Sequence, residues 1–187
     1  MNRLLEFATI LRSDDWLMAT LALCRKQLPV DAYIGAGAIR NCIWNHVHGY
    51  PRGQAGDVDV VYFDAAMAPG ADAEFTRRLQ AAQPATQWEV TNQAHVHLWY
   101  RDYFGQEVAP LATLAQAVAS WPDTATAVAV RLRDDGQFDV VAPFGLDDLF
   151  ELQLRWNPGR ISRADFLARI QAKQWLAHWP RLRVLAN

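Results

Sequence analysis

The sequence predicts an α/β domain with a small mixed sheet and with helices mainly on one face. Two observations lead to this prediction. First, short β-favouring segments alternate with longer segments of helical periodicity along the chain. Second, Asp134-Asp135-Gly136 separates two β-rich runs at 125–132 and 137–141, and Asp-Gly between such runs is a strong hairpin signal. The chain is therefore expected to combine one sheet with packed helices.

Helices are predicted where apolar residues recur at intervals of three and four. In chain order they cover 4–11, a stretch between Ser13 and Pro29, 39–48, 71–82, 111–120, 147–154 and 163–178. Ser13 is placed to cap the second helix, and Pro29 to end it. Ser162 and Asp165 resemble a capping box at the start of the last one.

Strands are predicted in short runs rich in β-branched and aromatic residues. In chain order they cover 30–34, 58–63, 88–90, 96–100, 125–132 and 137–141. Glycine marks two connections between these elements. Residues 35–37 form a tight turn, and residues 49–56 form a loop that contains three glycines and Pro51.

Length and composition indicate one folded domain. The 187 residues, of which 51% are hydrophobic, can bury a sizeable core as a single domain over 1–187, with 145–187 as a C-terminal helical extension. The net charge is −2 and no basic block occurs, so there is no strong nucleic-acid signal.

The expected location is the cytoplasm of a bacterium or another reducing compartment. Cys24 and Cys42 are the only cysteines and lie in apolar helical contexts, which favours buried thiols over disulfides. The charged opening residues do not resemble a signal peptide. No apolar run approaches ~18 residues, so no membrane span is expected.

The glycine turn predicts a phosphate-binding site. Gly35, Ala36 and Gly37 open the helix at 39–48, and a helix N-terminus offers unpaired backbone N–H groups to an anion. The N–H groups of residues 36–38 are the expected donors. Arg40 lies near the helix start and is a candidate phosphate ligand, with Asn41 as a weaker polar candidate.

Two aspartates in the following strand predict a metal site. Asp57 and Asp59 are one residue apart, so their side chains point to the same face, roughly 7 Å apart along the strand. Divalent cations prefer such oxygen ligands. The alternative is a solvated strand face, with Val58 and Val60 pointing inward. A phosphate cradle followed by metal-binding acids indicates chemistry on a nucleoside triphosphate.

A dinucleotide-binding fold is the less favoured alternative. A strand, Gly-x-Gly and a helix are present, followed by an acid about twenty residues later. However, Arg40 occupies the third glycine position and opposes close packing of helix on strand. Asp57 and Asp59 also open their strand, whereas a ribose-binding acid should follow it.

Residues 35–41 followed by Asp57-Val58-Asp59-Val60 resemble the polymerase-β-like nucleotidyltransferase superfamily, whose signature is a glycine-rich turn, a helix and an Asp-x-Asp strand. A looser likeness to a little-characterised family of small bacterial nucleotidyltransferase-like proteins continues at 44–49, 57–64, 88–93, 121–125 and 142–150. The chain departs from the superfamily at Ala36, where serine or glycine is common and the serine hydroxyl contacts a phosphate.

The resemblance implies transfer of a nucleoside monophosphate from an NTP to an unidentified acceptor, with Mg²⁺ (or Mn²⁺). Asp57 and Asp59 would hold the ion that bridges the triphosphate oxygens. A third carboxylate, which completes a two-metal site and accepts the acceptor's proton, is implied in the strand after the next helix. Glu89 lies there, Asp139 is the runner-up, and Asp64 is expected to cap a strand end.

The sequence is also compatible with other functions and other kinds of site. The fold can serve as a catalytically silent nucleotide-binding or regulatory module, or as a toxin–antitoxin-type protein that modifies a partner. His95 and His97 are expected to alternate on a strand and share a face, but nothing defines four zinc ligands. The aromatic cluster formed by Trp99, Tyr100, Tyr103 and Phe104 can stack on a base, or close a core or an interface.

Overall fold

The computed structural model describes residues 2–51 and 56–185, and the loop predicted at 49–56 lies partly outside them. The helices are α1 Arg3–Arg12, α2 Asp15–Gln27, α3 Ala36–His48, α4 Ala71–Ala82, α5 Val96–Phe104, α6 Leu114–Ala119, α7 Asp147–Phe150, α8 Arg163–Ala172 and α9 Trp175–His178. The strands are β1 Tyr33–Gly35, β2 Asp57–Tyr62, β3 Gln87–Asn92, β4 Ala129–Leu132, β5 Phe138–Val141, β6 Gln153–Leu154 and β7 Arg183–Val184.

Five strands form one mixed sheet in the order β3-β2-β1-β4-β5. β2 and β3 pair in parallel, whereas β1 pairs antiparallel with β2 and β4, and β4 pairs antiparallel with β5. The parallel pair requires a crossover, which α4 provides. The predicted hairpin connects β4 to β5, where the N–H of Arg133 donates to the carbonyl of Gln137 at 2.9 Å. The predicted small mixed sheet is confirmed.

The two faces of the sheet bury different sets of residues. Val58, Val60 and Tyr62 of β2 join the large hydrophobic cluster, to which α1, α2, α3 and α4 contribute. Val61 points to the other face and packs in a small cluster with Val118 of α6. Because side chains alternate along a strand, the odd-numbered residues of β2 lie on the face that the four large helices leave open.

Two predictions for the chain up to residue 100 were wrong. Asp14, not Ser13, caps α2, because its carboxylate accepts the N–H of Leu17 at 3.0 Å, whereas Ser13 ends α1 and donates its hydroxyl to the carbonyl of Ile10 at 2.7 Å. Residues 96–100 are helical, not a strand. The side chain of Asn92 accepts the N–H of Ala94 at 3.1 Å, which turns the chain at the end of β3 and lets α5 begin.

The two helices predicted in the C-terminal part of the chain are interrupted in the structure. The helix predicted at 147–154 ends at Phe150, because Leu152 has a φ of 59°. The helix predicted at 163–178 splits into α8 and α9 at Gln174, whose φ is 51°, since a left-handed residue ends a right-handed helix. The predicted cap is confirmed, with the hydroxyl of Ser162 accepting the N–H of Asp165 at 3.1 Å.

The C-terminal elements pack onto the rest of the core. Leu154 and Trp175 belong to the large hydrophobic cluster. The rings of Trp175 and Trp179 lie 5.6 Å and 5.0 Å from the ring of Trp44 in α3, both edge to face. Such aromatic pairs contribute roughly 0.5–1.5 kcal/mol beyond their burial. The start of α9 is therefore held against the helix that follows the glycine turn.

The structure also bears on three smaller predictions, which concern the two cysteines, Asp64 and membrane-spanning helices. Cys24 and Cys42 are both buried, unoxidised thiols, as expected. Asp64 caps the end of β2, where its carboxylate accepts the N–H of Ala66 at 2.9 Å. Across residues 2–51 and 56–185, no helix has the length and apolar character that a membrane crossing requires.

Candidate active site

Three carboxylates lie together on the open face of the sheet. Asp57 and Asp59 alternate with the buried Val58 along β2. In the parallel register of β2 and β3, Asp59 pairs with Glu89. Neighbouring strands lie about 4.8 Å apart, so the side chains of Asp59 and Glu89 leave the same face side by side. The structure thus brings together the three acids that the sequence singles out.

The first turn of α3 lies beside the middle carboxylate. A Cβ added to Gly37 would lie 3.9 Å from Oδ2 of Asp59 and 3.7 Å from Nη2 of Arg40. Gly37 and Ala38 occupy the second and third positions of the helix, where the N–H groups have no acceptor within their own helix. The positive end of α3 and the acids of β2 therefore border the same space.

Gly35 is required here for close packing. Its φ of −116° is open to any residue, but an added Cβ would lie only 2.4 Å from Cη2 of Trp121. The indole of Trp121 thus covers the backbone at the end of β1. A side chain at position 35 would displace that ring.

Ala36 differs from its predicted role. Its N–H, expected to bind phosphate, instead donates to the carbonyl of Val128 at 3.1 Å. Its φ of 43° places a non-glycine residue in the left-handed region, which costs roughly 1–2 kcal/mol. Of the three predicted backbone donors, the N–H groups of Gly37 and Ala38 remain for an anion.

Arg40 is buried at the base of the site. Its residue is 8% exposed, and Nε and Nη2 donate to Oδ1 of Asn41 at 3.1 Å and 3.0 Å. The guanidinium carbon lies 4.5 Å from the ring centre of Trp175 and 5.3 Å from that of Trp44. Burial lowers the pKa of Arg40 to about 10, so the side chain remains a cation at neutral pH.

Arg40 and Asn41 border a shallow cavity of about 480 Å³ together with Asp57, Lys173 and His178. Within the described ranges, no carboxylate lies at ion-pair distance from the Arg40 guanidinium. The positive charge of Arg40 therefore acts on the acids of β2 and on any anion bound beside them. Its predicted contact with a phosphate stays a prediction.

The charges of Arg169 and Arg40 offset only part of the repulsion and burial at Asp59. Burial, followed by the charges of Asp57 and Glu89, raises the pKa of Asp59 to about 6. No ion pair between described residues involves any of the three. Carboxylate oxygens that repel one another at a partly buried site fit a hard divalent cation, which supplies the missing positive charge.

The acids do not form a closed cage. In the part of the chain that the structure describes, no three acidic, histidine or cysteine side chains converge at metal-binding distance. Asp57 and Glu89 are exposed, and Asp59 is half-buried. An open set of oxygen ligands is what Mg²⁺ takes when substrate phosphates and water complete its shell.

The pKa of Asp59 predicts an unusual pH dependence of stability. The folded protein binds the Asp59 proton more tightly than the unfolded chain, whose reference value is 3.8. The Asp59 carboxyl should therefore contribute a loss of stability on the order of 2 kcal/mol to the metal-free protein as the pH rises from about 4 to about 6. Urea unfolding in EDTA across this range should show this contribution as the difference in pH dependence between the parent protein and Asp59→Asn. An unchanged slope in that variant would contradict the assignment.

A cavity of about 720 Å³ opens from the acids toward the C-terminal helices. Asp59 and Glu89 form part of its lining, together with Ala36 and Trp121. The rest includes aromatic residues of α5 and two arginines, Arg160 and Arg169. A larger cavity of about 890 Å³ lies elsewhere, beside Arg131 and Asp134, and borders none of the three acids.

Sequence reasoning missed Arg169. It lies on α8, its guanidinium carbon is 5.5 Å from the ring centre of Trp175, and its buried Nε has no hydrogen-bond partner within residues 2–51 and 56–185. The charge of Arg169 also lowers the pKa of Asp59, against the larger effect of burial. An arginine on an amphipathic helix normally reads as a surface residue, so its sequence context carried no signal.

Asp123 was also missed. It is fully buried, and its two carboxylate oxygens accept the N–H and the hydroxyl of Thr126, both at 2.8 Å. Burial raises the pKa of Asp123. These bonds hold the turn after Trp121 and so help to position the indole over Gly35. The available signal was an acid next to Trp121-Pro122, inside one of the segments that carried the family likeness.

The runner-up acid, Asp139, lies away from the site. It is on β5, three strands from β2, or about 14 Å at the usual spacing. Its Oδ2 accepts the hydroxyl of Tyr33 at 2.7 Å and Nη2 of Arg131 at 3.0 Å. The structure therefore removes Asp139 from the candidate ligands. His95 and His97 lie at the start of α5, so their predicted alternation on a strand was wrong.

The mixed sheet and the helices packed on it form a polymerase-β-like nucleotidyltransferase fold. A family model described as nucleotidyltransferase matches residues 23–184. The chain therefore belongs to this nucleotidyltransferase family. No curated protein matches the sequence.

Solved structures support the same fold. An NMR structure described as revealing a CCA-adding enzyme head domain aligns with a TM-score of 0.78 at 26% identity, over 97% of this chain and 95% of that chain. The Thermotoga maritima CCA-adding enzyme complexed with tRNA aligns with a TM-score of 0.59 at 14% identity, over 96% and 42%. A CCA-adding enzyme with CTP aligns with a TM-score of 0.59 at 15% identity, over 95% and 43%. This chain spans less than half the length of the latter two enzymes.

Proposed function

We propose that this protein transfers a nucleoside monophosphate from an NTP to a hydroxyl acceptor in a reaction that depends on Mg²⁺ (or Mn²⁺). One observation carries the proposal. Asp59 pairs with Glu89 across two parallel strands, and its carboxylate lies beside the first turn of α3. Acids for a metal and free N–H groups for a phosphate thus border one space.

Asp57, Asp59 and Glu89 are the residues that would hold the metal. When bound, the divalent cation supplies positive charge to the triphosphate oxygens. The N–H groups of Gly37 and Ala38 bind phosphate oxygens at the positive end of α3. Burial of Arg40 behind that turn adds a fixed positive charge, which stabilises negative charge on the donor.

Glu89 is the proposed proton acceptor. An acceptor hydroxyl attacks the α-phosphorus, its oxygen forms the new P–O bond, and the bond to the leaving pyrophosphate breaks. The hydroxyl proton passes to the carboxylate of Glu89. Most of the rate enhancement in such a site comes from positioning and from neutralising charge on the transferred group.

Arg169 is a further phosphate ligand in this proposal. Its buried Nε has no partner among the described residues, and its side chain borders the same cavity as Asp59. A guanidinium with free donors fits phosphate oxygens in a forked geometry. Relatives with this fold have been solved with CTP and with ATP, which supports an NTP as the donor.

A catalytically silent nucleotide-binding module is the second candidate. The observation that favours it is Ala36, which lacks the serine hydroxyl common at this turn and whose N–H is bonded to the carbonyl of Val128. Two fewer phosphate contacts weaken the hold on the triphosphate. This candidate predicts NTP binding without turnover.

The experiment is an α-label transfer assay with each of the four NTPs. Purified protein is incubated with α-labelled NTP, Mg²⁺ and pooled small-molecule, RNA and protein acceptors, with EDTA as the metal-free arm. The proposal expects labelled product and pyrophosphate only with the metal. NTP binding by calorimetry without any labelled product would select the silent module. Label transfer that persists in EDTA would overturn the metal dependence.

A further inference from the structure

One helix places three aromatic side chains at the cavity beside the acids. Trp99, Tyr100 and Tyr103 of α5 border the same space as Asp59 and Glu89, and we name these three residues the aromatic wall. The ring centres of Trp99 and Tyr103 lie 5.5 Å apart at an interplanar angle of 83°. Those of Trp99 and Tyr100 lie 6.3 Å apart at 34°.

The three residues of the aromatic wall differ in burial. Tyr100 is buried at 7% exposure, whereas Trp99 is half-buried and belongs to neither of the two hydrophobic clusters formed by the described residues. Tyr103 is 77% exposed. Large aromatic side chains usually bury their faces in a core or an interface, so a group of them around a cavity calls for another explanation. The exposed parts of Trp99 and Tyr103 are therefore available to a ligand.

The position of α5 assigns the wall to the acceptor side of the site. β3 is an edge strand, and α5 follows it after a short turn over 93–95. The wall and Glu89 line one cavity, and the strand order separates β3 by β2 from β1, which leads into α3. A molecule that presents a hydroxyl to Glu89 from this side has its remaining atoms against Trp99 and Tyr103.

The chemistry of the cavity lining indicates which class of molecule can bind there. Exposed aromatic faces bind planar rings by stacking. The guanidinium carbon of Arg160 lies 5.0 Å from the ring centre of Tyr100. Because Tyr100 already contacts Arg160, Trp99 and Tyr103 are the residues on which a ligand ring can stack. A volume of about 720 Å³ suits a small molecule.

The charges around the cavity disfavour a long polyanion. Three acids, Asp59, Glu89 and Asp165, line it against two arginines, Arg160 and Arg169. On the outer side of α5, Arg101 is paired with Glu107 at 2.7 Å. A groove that binds RNA needs an excess of positive charge along the RNA phosphates. This lining instead contains more acidic side chains than arginines.

We infer that the acceptor is a small hydroxyl compound that carries an aromatic or heteroaromatic ring. The ring lies against Trp99 and Tyr103, and the hydroxyl reaches Glu89. This inference rests on the proposed function and names the acceptor class of that site. In this reaction the hydroxyl oxygen of the acceptor bonds to the α-phosphorus of the NTP, and pyrophosphate is released.

The test compares ring-bearing with ring-free acceptors. Adenosine, uridine, tyrosine and tyrosol are the ring-bearing probes, and glycerol, glucose and serine are the ring-free ones. The inference expects label transfer to members of the first group only. Tyr103→Ala should raise the acceptor KM about tenfold and leave the NTP KM unchanged. Leu98→Ala, on the same helix and 67% exposed but outside the cavity lining, should change neither.

A binding measurement separates this inference from the proposed function. Saturation-transfer NMR with adenosine and tyrosol reports contact with the wall even if no turnover occurs, and Tyr103→Ala and Trp99→Leu should both weaken the signal. Absence of binding by all ring-bearing probes would overturn the inference. So would transfer to ring-free probes or to RNA alone. Ring binding without label transfer in any arm would support the wall and count against the proposed reaction.

Discussion

Replacing Asp59 by asparagine is expected to lower α-label transfer by on the order of a thousandfold or more. Asp59 is the central acid of the site, in register with Glu89 and beside the first turn of α3. A metal that loses this ligand no longer neutralises the transferring group, and about 4 kcal/mol of lost charge stabilisation corresponds to that factor. Initial rates at saturating Mg²⁺ measure the effect.

The same variant should fold at least as well as the parent. Burial and two neighbouring negative charges disfavour the ionised Asp59, so a neutral amide removes a repulsion at pH 7. A raised or equal melting temperature together with lost transfer separates catalysis from misfolding. Asp134→Asn is the matched control, because that side chain is 99% exposed in the hairpin turn. Normal transfer by Asp59→Asn would refute the proposed site.

Replacing Glu89 by glutamine is expected to lower turnover by about 10² to 10⁴. The amide keeps the size of the side chain but cannot accept the proton of the attacking hydroxyl. Because Glu89 is exposed on an edge strand, the fold should not change. Turnover and NTP affinity should be measured separately, and the loss should appear mainly in kcat.

Glu74→Gln provides the control for this change. Glu74 is a glutamate on α4, which packs on the other face of the sheet, and it pairs with Arg78 of the same helix. Its replacement should leave kcat as it is. If Glu89→Gln kept full activity, the proton acceptor would have to be Asp57 or water. Asp139 would not qualify, since it lies three strands away from β2 and is bonded to Tyr33 and Arg131.

The sheet and the acids were accessible from the sequence because they obey local rules. Alternation alone places Asp57 and Asp59 on one face, and the hairpin at Gly136 follows from turn chemistry. Glu89 was identified through the family likeness. The structure adds its register with Asp59, which depends on how two strands pair across a crossover.

Other parts depended on contacts that no local pattern carries. The segment 96–100 has a β-favouring composition, yet Asn92 ends β3 and α5 starts after it. The N–H of Ala36 was predicted to be free for a phosphate, but it donates to the carbonyl of Val128, which is distant in the sequence. Arg169 reaches the cavity only because α8 folds back over the open face. Such long-range packing is set by tertiary structure and has no signature within a short window.

The contact between Gly35 and Trp121 bears on how relatives of this chain are judged. An indole 2.4 Å from where a Cβ of residue 35 would stand gives packing alone a reason for glycine at this position. A relative without the chemistry can therefore keep glycine and tryptophan here even if it has lost the acids. Surveys that seek active members of the family should therefore weigh positions 57, 59 and 89 above the glycine.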